Sequence, residues 1–227
     1  MKRFIDISHI LQDGTGAYPG LPEPIIGAYL DHEASRPRYG GKAEFYLGKI
    51  ETVTNVGTYI DSPFHRFRER EDLAAIDLER VAGLDGIVLD ADVAQGRALT
   101  FSIDEHEVLG RALLVRTGWD RHWGSPAYRE NTPYLTADFA RRLVSAGVKL
   151  VGVDFLNVDD TNDPARPVHT ELLRAGILIV ENLTNLGALP KKGFVFSAVP
   201  LRIVKGASFP VRAYAEIRNY HSGENDG

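Results

Sequence analysis

The sequence of 227 residues contains no cysteine. Disulfide bonds, thiolate nucleophiles and zinc sites built on thiolates are therefore excluded. A metal ion bound by this chain must be held by histidine and carboxylate side chains. Histidine is itself scarce, with seven residues in the chain.

The chain also lacks long runs of charged residues and of apolar residues. Its formal net charge of -5 is spread along the sequence, which argues against a nucleic-acid groove or an anionic membrane surface as partner and favours a small-molecule substrate. No apolar run of about 18 residues occurs, and the N-terminal residues form no signal-like apolar segment. We therefore expect a cytoplasmic protein.

The composition is that of an ordinary globular protein, with 44% apolar and 25% charged residues. A length of 227 residues suits one large domain or two small ones. No repeat or low-complexity block occurs, and the proline and glycine clusters mark loops and not a linker. We interpret residues 1–227 as a single domain.

Several short apolar or β-branched segments predict strands. They cover residues 4–9, 44–54, 86–92 and 112–118, and the last two have the composition of strands that are covered on both faces. Between these two strands, Ser102 and Glu105 have the spacing of a capping box and predict a brief helix.

The second half of the chain alternates helices and strands. Thr136 is expected to cap a helix that ends at Gly147, and a strand over 148–155 follows. A short helix closed by Gly176 then leads to a strand over 177–183. This order favours an α/β fold with a mostly parallel or mixed sheet.

Ligands of such sheets bind beyond the carboxyl ends of the strands. Asp154 and Glu181 come late in the two predicted strands, and His169 opens the helix between them, so all three are expected to reach one rim. Glu181 interrupts an apolar strand and needs either a cation or a metal as partner. A salt bridge to an arginine is the simpler alternative for Glu181, and solvent exposure or capping is the simpler one for His169.

A glycine turn in "TNVGTYIDSPFHRF" places Asp61 and His65 on either side of Pro63. On these residues alone, an Asx-type turn followed by a chance histidine is a sufficient explanation. Trp119 and Trp123, in "RTGWDRHWG", suit a pocket for a flat substrate, with core or interface packing as the alternative.

Taken together, the motifs resemble the cyclase family of metal-dependent hydrolases, which includes kynurenine formamidases (arylformamidases) and isatin hydrolases. The resemblance runs along nearly the whole chain. It is carried by "DISHIL", "TNVGTYIDSPFHRF", "LLVRTGWDRHWGS", "GVDFLNVDD", the isolated His169, "ENLTNLGALP" and "PLRIVKGASFPVRA".

The resemblance implies roles for individual residues. The family signature His-x-Gly-Thr-His-x-Asp-x-Pro-x-His uses its first two histidines and its aspartate for one metal. The aspartate, a later histidine and a glutamate bind a second metal, and the last histidine is the acid/base. Asp61 matches the aspartate and His65 the acid/base, while His169 and Glu181 match the later pair.

Three positions depart from the family pattern. Asn55 and Tyr59 replace the two metal-binding histidines of the signature, and Asn157 replaces a serine in the "GVDxxSxD" motif. An amide oxygen and a neutral phenol are poor ligands for zinc or manganese. We therefore expect the first metal site to be lost, and Asp61, His169 and Glu181 to hold one divalent ion, zinc or manganese, if any metal is bound.

The fold implied by the resemblance is a swivelling β/β/α architecture, a mixed, barrel-like sheet with flanking helices. The implied activity is hydrolysis of a small amide or cyclic amide or ester, at a carbon–nitrogen bond other than a peptide bond, as in the arylformamidase step of tryptophan catabolism. Relatives assemble as homodimers or homotetramers. Four aromatic residues are expected to line the substrate pocket, namely Phe64, Phe67, Trp119 and Trp123.

Two alternatives stay open. A member that has lost catalysis would keep the pocket for small-molecule binding or as a structural module. A metal-free enzyme would use Tyr59 and His65 as an acid/base pair, and with or without a metal Tyr59 is a candidate hydrogen-bond donor to a developing oxyanion.

Overall fold

The computed structural model describes residues 2–16 and 18–218. In these residues, thirteen strands and four short α-helices alternate with 3₁₀ turns. The helices are α1 (His32–Ser35), α2 (Glu105–Val108), α3 (Ala137–Ser145) and α4 (Pro167–Arg174). The strands are β1 (Lys2–Asp6), β2 (Ile25–Leu30), β3 (Leu47–Glu51), β4 (Tyr59–Asp61), β5 (Leu84–Asp90), β6 (Ala98–Leu99), β7 (Ala112–Arg116), β8 (Tyr134–Leu135), β9 (Leu150–Val153), β10 (Leu178–Glu181), β11 (Phe194–Ser197), β12 (Ser208–Pro210) and β13 (Tyr214–Arg218).

Nine of the strands form one curled sheet in the order β1-β13-β11-β5-β7-β9-β10-β4-β12. Its centre, β5-β7-β9-β10, is parallel. Antiparallel strands flank this centre on both sides. The mixed sheet confirms the α/β fold expected from the sequence.

Two apolar cores lie on the two faces of the sheet. Alternate residues of the central strands separate into these cores because successive side chains of a strand point to opposite faces. In β7, Leu113 and Val115 pack with α3 and α4, whereas Ala112 and Leu114 pack with the antiparallel strands on the other face. The central strands are therefore covered on both sides.

Two glycines end the helices that cover the sheet, as the sequence predicts. The N–H of Gly147 donates to the carbonyl of Val144, at 3.1 Å, and that of Val148 to the carbonyl of Leu143, at 3.3 Å. Gly147 has a φ of 69°, and this pairing is the Schellman arrangement that favours glycine. Gly176 ends α4 with the same bonds, so each helix leads directly into its strand.

The structure corrects two expectations about local structure. Asp104 and not Ser102 caps α2, because its side chain accepts the N–H of His106. The predicted strand over 44–54 is shorter, β3 at Leu47–Glu51, and it pairs with β2 in a separate two-stranded sheet. Among the helices of the described residues, none has the length and apolar character needed to cross a membrane.

Candidate active site

The carboxyl end of β10, the adjacent strand β4 and the start of α4 bring four of the predicted residues together. Glu181 ends β10 directly opposite Tyr59 of β4, and Asp61 follows two residues later on the same strand. His169 lies in the first turn of α4. Its Nε2 atom is 3.7 Å from Asp61 Oδ2 and 3.6 Å from Glu181 Oε1. All four side chains are buried.

Asp159 orients His169. Its carboxylate lies 2.6 Å from His169 Nδ1 and also accepts the backbone N–H groups of Val168, at 2.6 Å, and of His169, at 3.0 Å. Burial disfavours the imidazolium, but Asp159 and Asp61 outweigh burial and raise the pKa of His169 to about 10. With Nδ1 bound to Asp159, Nε2 faces the other two carboxylates, which is the carboxylate–histidine arrangement common among metal ligands.

Asp61 has one bonded oxygen and one unbonded oxygen. Oδ1 accepts the hydroxyl of Ser208. Oδ2 is buried and has no hydrogen-bond partner among residues 2–16 and 18–218. Burial alone raises the pKa of this carboxyl, but the imidazoles of His65 and His169 outweigh it and lower the pKa of Asp61. The nearest cationic group is the His169 ring, whose Nε2 atom lies 3.7 Å away and beyond hydrogen-bond distance, so the burial of this oxygen is only partly compensated.

His65 is an alternative to the predicted Glu181 as third metal ligand beside Asp61 and His169. Ligand atoms of Asp61, His65 and His169 lie within 4.8 Å of one another. Two imidazoles and a carboxylate suit a divalent ion such as zinc or manganese. The residues present thus fit the implied metal. His65 is more exposed than its neighbours, at the end of the 3₁₀ turn Pro63–His65, and its Nδ1 atom is 3.2 Å from Ser208 Oγ.

Glu181 is bound through both oxygens. Oε2 accepts the hydroxyl of Tyr59, and Oε1 accepts the backbone N–H of Val158 at 2.8 Å. Burial raises the pKa of Glu181 to about 7, against the opposing charge of His169. Burial also raises the pKa of Tyr59 well above its usual value. The one hydroxyl hydrogen of Tyr59 lies on Glu181, so donation to a substrate oxyanion requires exchange of this bond.

Asn55 has partners of its own. Its Nδ2 atom donates to Ser208 Oγ at 3.3 Å, and its Oδ1 atom accepts the hydroxyl of Thr54 at 3.4 Å. The side chains of Asn55 and Tyr59 therefore both form hydrogen bonds within the site.

A cavity of about 670 Å³ lies beside this cluster. Tyr18 and Asn182 line it. Burial raises the pKa of Tyr18, while the charge of Arg166 and its hydrogen bond to the phenol oppose the rise. Asn182 follows Glu181 directly in the chain, so the cavity approaches the cluster at this point, although Asp61, His65, His169 and Glu181 are not among its lining residues.

The four aromatic residues predicted to line the pocket lie in different parts of the structure. Trp123 lines the cavity. Phe67 and Trp119 pack against the core on the helical face of the sheet, and the indole N–H of Trp119 donates to the carbonyl of Tyr128 at 3.1 Å. The backbone N–H of Phe64 donates to the carbonyl of Glu71 at 2.9 Å.

Asp154 does not join Glu181 and His169. Its carboxylate accepts the N–H groups of Thr117, at 2.9 Å, and of Gly118, at 2.7 Å, and thereby closes the turn after β7. Burial raises the pKa of Asp154 to about 6, although these hydrogen bonds oppose the rise. The sequence predicted its position at the strand end, but its hydrogen bonds are to the turn after β7 and not to the cluster.

Sequence reasoning assigned no role to two residues that organise the site. Asp159 lies in the quoted "GVDFLNVDD" motif, and the second aspartate of that motif was the available signal. Its backbone N–H donates to Asn157 Oδ1 at 3.0 Å. Ser208 lies in "PLRIVKGASFPVRA", where nothing distinguishes it from an ordinary strand serine.

Comparison with known proteins identifies the family. Residues 5–160 match the family model "Putative cyclase". The chain is 32% identical to the kynurenine formamidase of Geobacillus thermodenitrificans over 218 residues, which is 94% of this chain and 97% of the relative. The chain belongs to the cyclase family. A second cyclase-family relative, the kynurenine formamidase of Bacillus cereus, is 28% identical over 93% of this chain and 96% of its own.

Solved structures share the fold. Isatin hydrolase A from Ralstonia solanacearum superposes with a TM-score of 0.81 at 24% identity, covering 96% of this chain and 92% of its own. A metal-dependent hydrolase from Bacillus stearothermophilus superposes with a TM-score of 0.75 at 21% identity, covering 96% of this chain and 100% of its own. The cyclase-type fold expected from the sequence is thus confirmed.

Proposed function

We propose that this chain is a metal-dependent hydrolase that acts on carbon–nitrogen bonds other than peptide bonds, with a small amide or cyclic amide or ester as substrate. Its similarity to kynurenine formamidases supports an arylformamidase-like activity and a place in tryptophan catabolism. The observation that carries the proposal is the buried, unpaired Oδ2 atom of Asp61 within reach of two imidazoles.

Asp61, His169 and Glu181 would hold one divalent ion, zinc or manganese, because His169 Nε2 lies 3.7 Å from Asp61 Oδ2 and 3.6 Å from Glu181 Oε1. Glu181 already accepts two hydrogen bonds, but a carboxylate has about four acceptor sites, so Oε1 retains one for a metal. When bound, such an ion polarises a carbonyl and lowers the pKa of a coordinated water. Asn55 and Tyr59 leave no second complete ligand set.

His65 is the acid/base. Its imidazole is exposed while Asp61 and His169 are buried, so it can exchange a proton with a substrate that reaches the cluster. The buried cluster and the Asp159–His169 pair stay fixed and hold the reacting group in place. Tyr59 contributes as an oxyanion donor only when it leaves Glu181.

A second candidate is a family member without catalysis that binds a small molecule or has a structural role. It is supported by Asn55 and Tyr59, whose polar atoms are engaged with Ser208, Thr54 and Glu181. A third is a metal-free enzyme that uses Tyr59 and His65. The metal content of the purified protein separates both from the first proposal.

The deciding experiment combines elemental analysis with turnover. We expect one equivalent of zinc or manganese per chain, and hydrolysis of an aryl formamide such as formylkynurenine, a cyclic amide or a lactone that stops on chelation. His65→Ala should lower turnover by about 10²- to 10⁴-fold, the usual contribution of an acid/base.

The matched control is His106→Ala, which removes an exposed histidine from α2, far along the chain from the cluster. It should leave turnover unchanged. Metal-free protein with no turnover above background contradicts the proposal, and turnover that persists in metal-free protein supports the third candidate.

We further propose a homodimer or homotetramer. The two-stranded sheet of β2 and β3 exposes apolar side chains, including Ile25 at 62%, Tyr29 at 72% and Ile50 at 61%, and an isolated hairpin is marginally stable in water. Sedimentation over a range of protein concentrations tests this assembly. The single domain over 1–227 and the cytoplasmic location stay predictions.

A further inference from the structure

Ser208 connects three side chains of the site. It lies in β12 directly opposite Asp61 and is fully buried. Its Oγ atom bonds Asp61 Oδ1, lies 3.3 Å from the Nδ2 atom of Asn55 and lies 3.2 Å from the Nδ1 atom of His65. A hydroxyl has one hydrogen and two lone pairs, so three partners use its full capacity.

The direction of each bond follows from the partners. The carboxylate of Asp61 can only accept, so it takes the Ser208 hydrogen. The Nδ2 group of Asn55 can only donate, and the Oδ1 atom of the same amide, which accepts the Thr54 hydroxyl, fixes its orientation. One lone pair of Ser208 remains, and it faces the His65 ring.

We propose that Ser208 is a positioning residue that holds the neutral imidazole of His65 in the tautomer with the hydrogen on Nδ1. The Nε2 atom of His65 then carries the lone pair and is the atom that accepts a proton from the reacting group. This inference rests on the proposed function, in which His65 is the acid/base, and it assigns a use to Asn55, which stands at a lost metal-ligand position.

The hydrogen bond from Ser208 also distinguishes the two oxygens of Asp61. Oδ1 is anchored by Ser208, while Oδ2 stays unpaired among the described residues. Loss of the Ser208 hydroxyl would therefore free both the His65 ring and the Asp61 carboxylate to rotate.

The direct test is the tautomer itself, read from the ¹⁵N shifts of the His65 ring by NMR in the full chain, with and without prior chelation. We expect Nδ1–H in the unsubstituted protein under both conditions, and a mixture dominated by Nε2–H in chelated Ser208→Ala. A ring that is already Nε2–H in the unsubstituted protein overturns the proposal, and so does a tautomer that Ser208→Ala leaves unchanged.

Ser62→Ala is the matched control. Ser62 is equally buried, but its hydroxyl donates to the carbonyls of Gly206, at 3.1 Å, and Ala207, at 2.9 Å, and not to the His65 ring. It should leave the tautomer as in the unsubstituted protein. A tautomer change in Ser62→Ala equal to that in Ser208→Ala would attribute the effect to general loosening and overturn the proposal.

Turnover gives the second readout. Ser208→Ala should lower kcat by about 10- to 100-fold, the usual effect of removing a supporting hydrogen bond, with KM little changed. Ser208→Thr keeps the hydroxyl and should restore most of kcat. The NMR measurement needs no substrate. A ring with Nδ1–H that depends on Ser208 therefore supports the positioning role even if no substrate is turned over. In that case, only the proposed hydrolase activity is contradicted.

Discussion

The two halves of the site differ in how their polar atoms are used. In one half, Asp61 presents a buried oxygen that has no hydrogen-bond partner in the described part of the chain, next to the imidazoles of His65 and His169. In the other half, Tyr59 donates to Glu181 and Asn55 donates to Ser208, so these groups are satisfied by one another.

The resemblance to the cyclase family implies that Asn55 and Tyr59 stand in place of two metal-binding histidines, and the difference between the two halves is what such a replacement would leave. Burying an unpaired polar group costs free energy, so two lost ligands would leave costly gaps unless new partners filled them. Asn55 and Tyr59 fill those gaps with hydrogen bonds. The first half has the form of a cation site, and Asn55 and Tyr59 form a hydrogen-bonded group beside it. Glu181 takes part in both, because Oε2 accepts the Tyr59 hydroxyl and Oε1 faces His169.

The largest expected effect comes from introducing two histidines into the second half. Asn55→His combined with Tyr59→His replaces the amide and the phenol by two imidazoles beside Asp61. We expect the zinc content to rise from one to two equivalents per chain, because two imidazoles and a carboxylate are a sufficient ligand set. Elemental analysis after zinc loading and gel filtration measures this.

The two single variants are the controls for that experiment. Each adds one imidazole only and should leave the content at one equivalent. If the double variant also stays at one equivalent, the second half has changed beyond its two substituted positions, and the comparison of the halves has to include the surrounding backbone.

A smaller effect is expected when the hydrogen bond from Tyr59 to Glu181 is removed and no new ligand is introduced. Tyr59→Phe leaves Glu181 Oε2 without its hydroxyl partner in a fully buried position. A hydrogen bond to a charged group contributes about 1.5–3 kcal/mol, so the free energy of unfolding should fall by about that amount. Urea denaturation measures it.

Tyr128→Phe is the matched control for Tyr59→Phe. Tyr128 is also a buried tyrosine, but its hydroxyl donates to the neutral amide oxygen of Asn182 at 2.8 Å. Its loss should cost only about 0.5–1.5 kcal/mol. Equal losses of unfolding free energy in the two variants would mean that the hydrogen bond from Tyr59 to Glu181 is no stronger than one between neutral groups. That result would contradict the view that Tyr59 and Glu181 stabilise one another in the second half of the site.

Much of the fold was predictable because it follows from local patterns. Gly147 and Gly176 end helices that lead at once into apolar strands, and this order alone predicts α/β. The strand order was not predictable, because β4 and β12 reach the edge of the sheet through pairings far apart in sequence. The cap of α2 was misplaced because Ser102 and Asp104 are both good caps, and only the backbone decides between them.

The roles expected for Asp61 and His65 came from the resemblance to the cyclase family, because their spacing around Pro63 alone is equally well explained by an Asx-type turn. Ser208 was not, since a buried strand serine has no sequence signal and its role depends on a cross-strand pairing with Asp61. Among the predicted pocket residues, Trp119 and Phe67 pack against the core, because an aromatic residue satisfies core packing and a pocket pattern equally well.

The smallest expected effect tests whether an unpaired atom alone is enough to distinguish a cation site. His9 Nε2 is, with Asp61 Oδ2, a buried side-chain atom without a hydrogen-bond partner among residues 2–16 and 18–218. Its ring stacks on Trp123 with centroids 3.9 Å apart. Burial lowers the pKa of His9 to about 4, against the opposing charge of Asp120, so this ring is neutral at pH 7.

The pH dependence of stability follows from that shift. Above pH 6.5, His9 is neutral in the folded and the unfolded chain, and its contribution to the free energy of unfolding is fully present. Between pH 6.5 and about 4, the unfolded chain takes up a proton that the folded chain does not, so this contribution is lost as the pH falls. His9→Phe keeps a flat ring on Trp123 and removes this proton. The difference in unfolding free energy between the unsubstituted protein and His9→Phe should be constant above pH 6.5 and fall below it, by at most about 1.4 kcal/mol per pH unit. Parallel stability curves across that range would show that the His9 ring gains a proton as readily in the folded chain as in the unfolded chain. In that case, the difference in protonation between the unpaired imidazole of His9 and the unpaired carboxylate of Asp61 would no longer distinguish an apolar stack from a metal site.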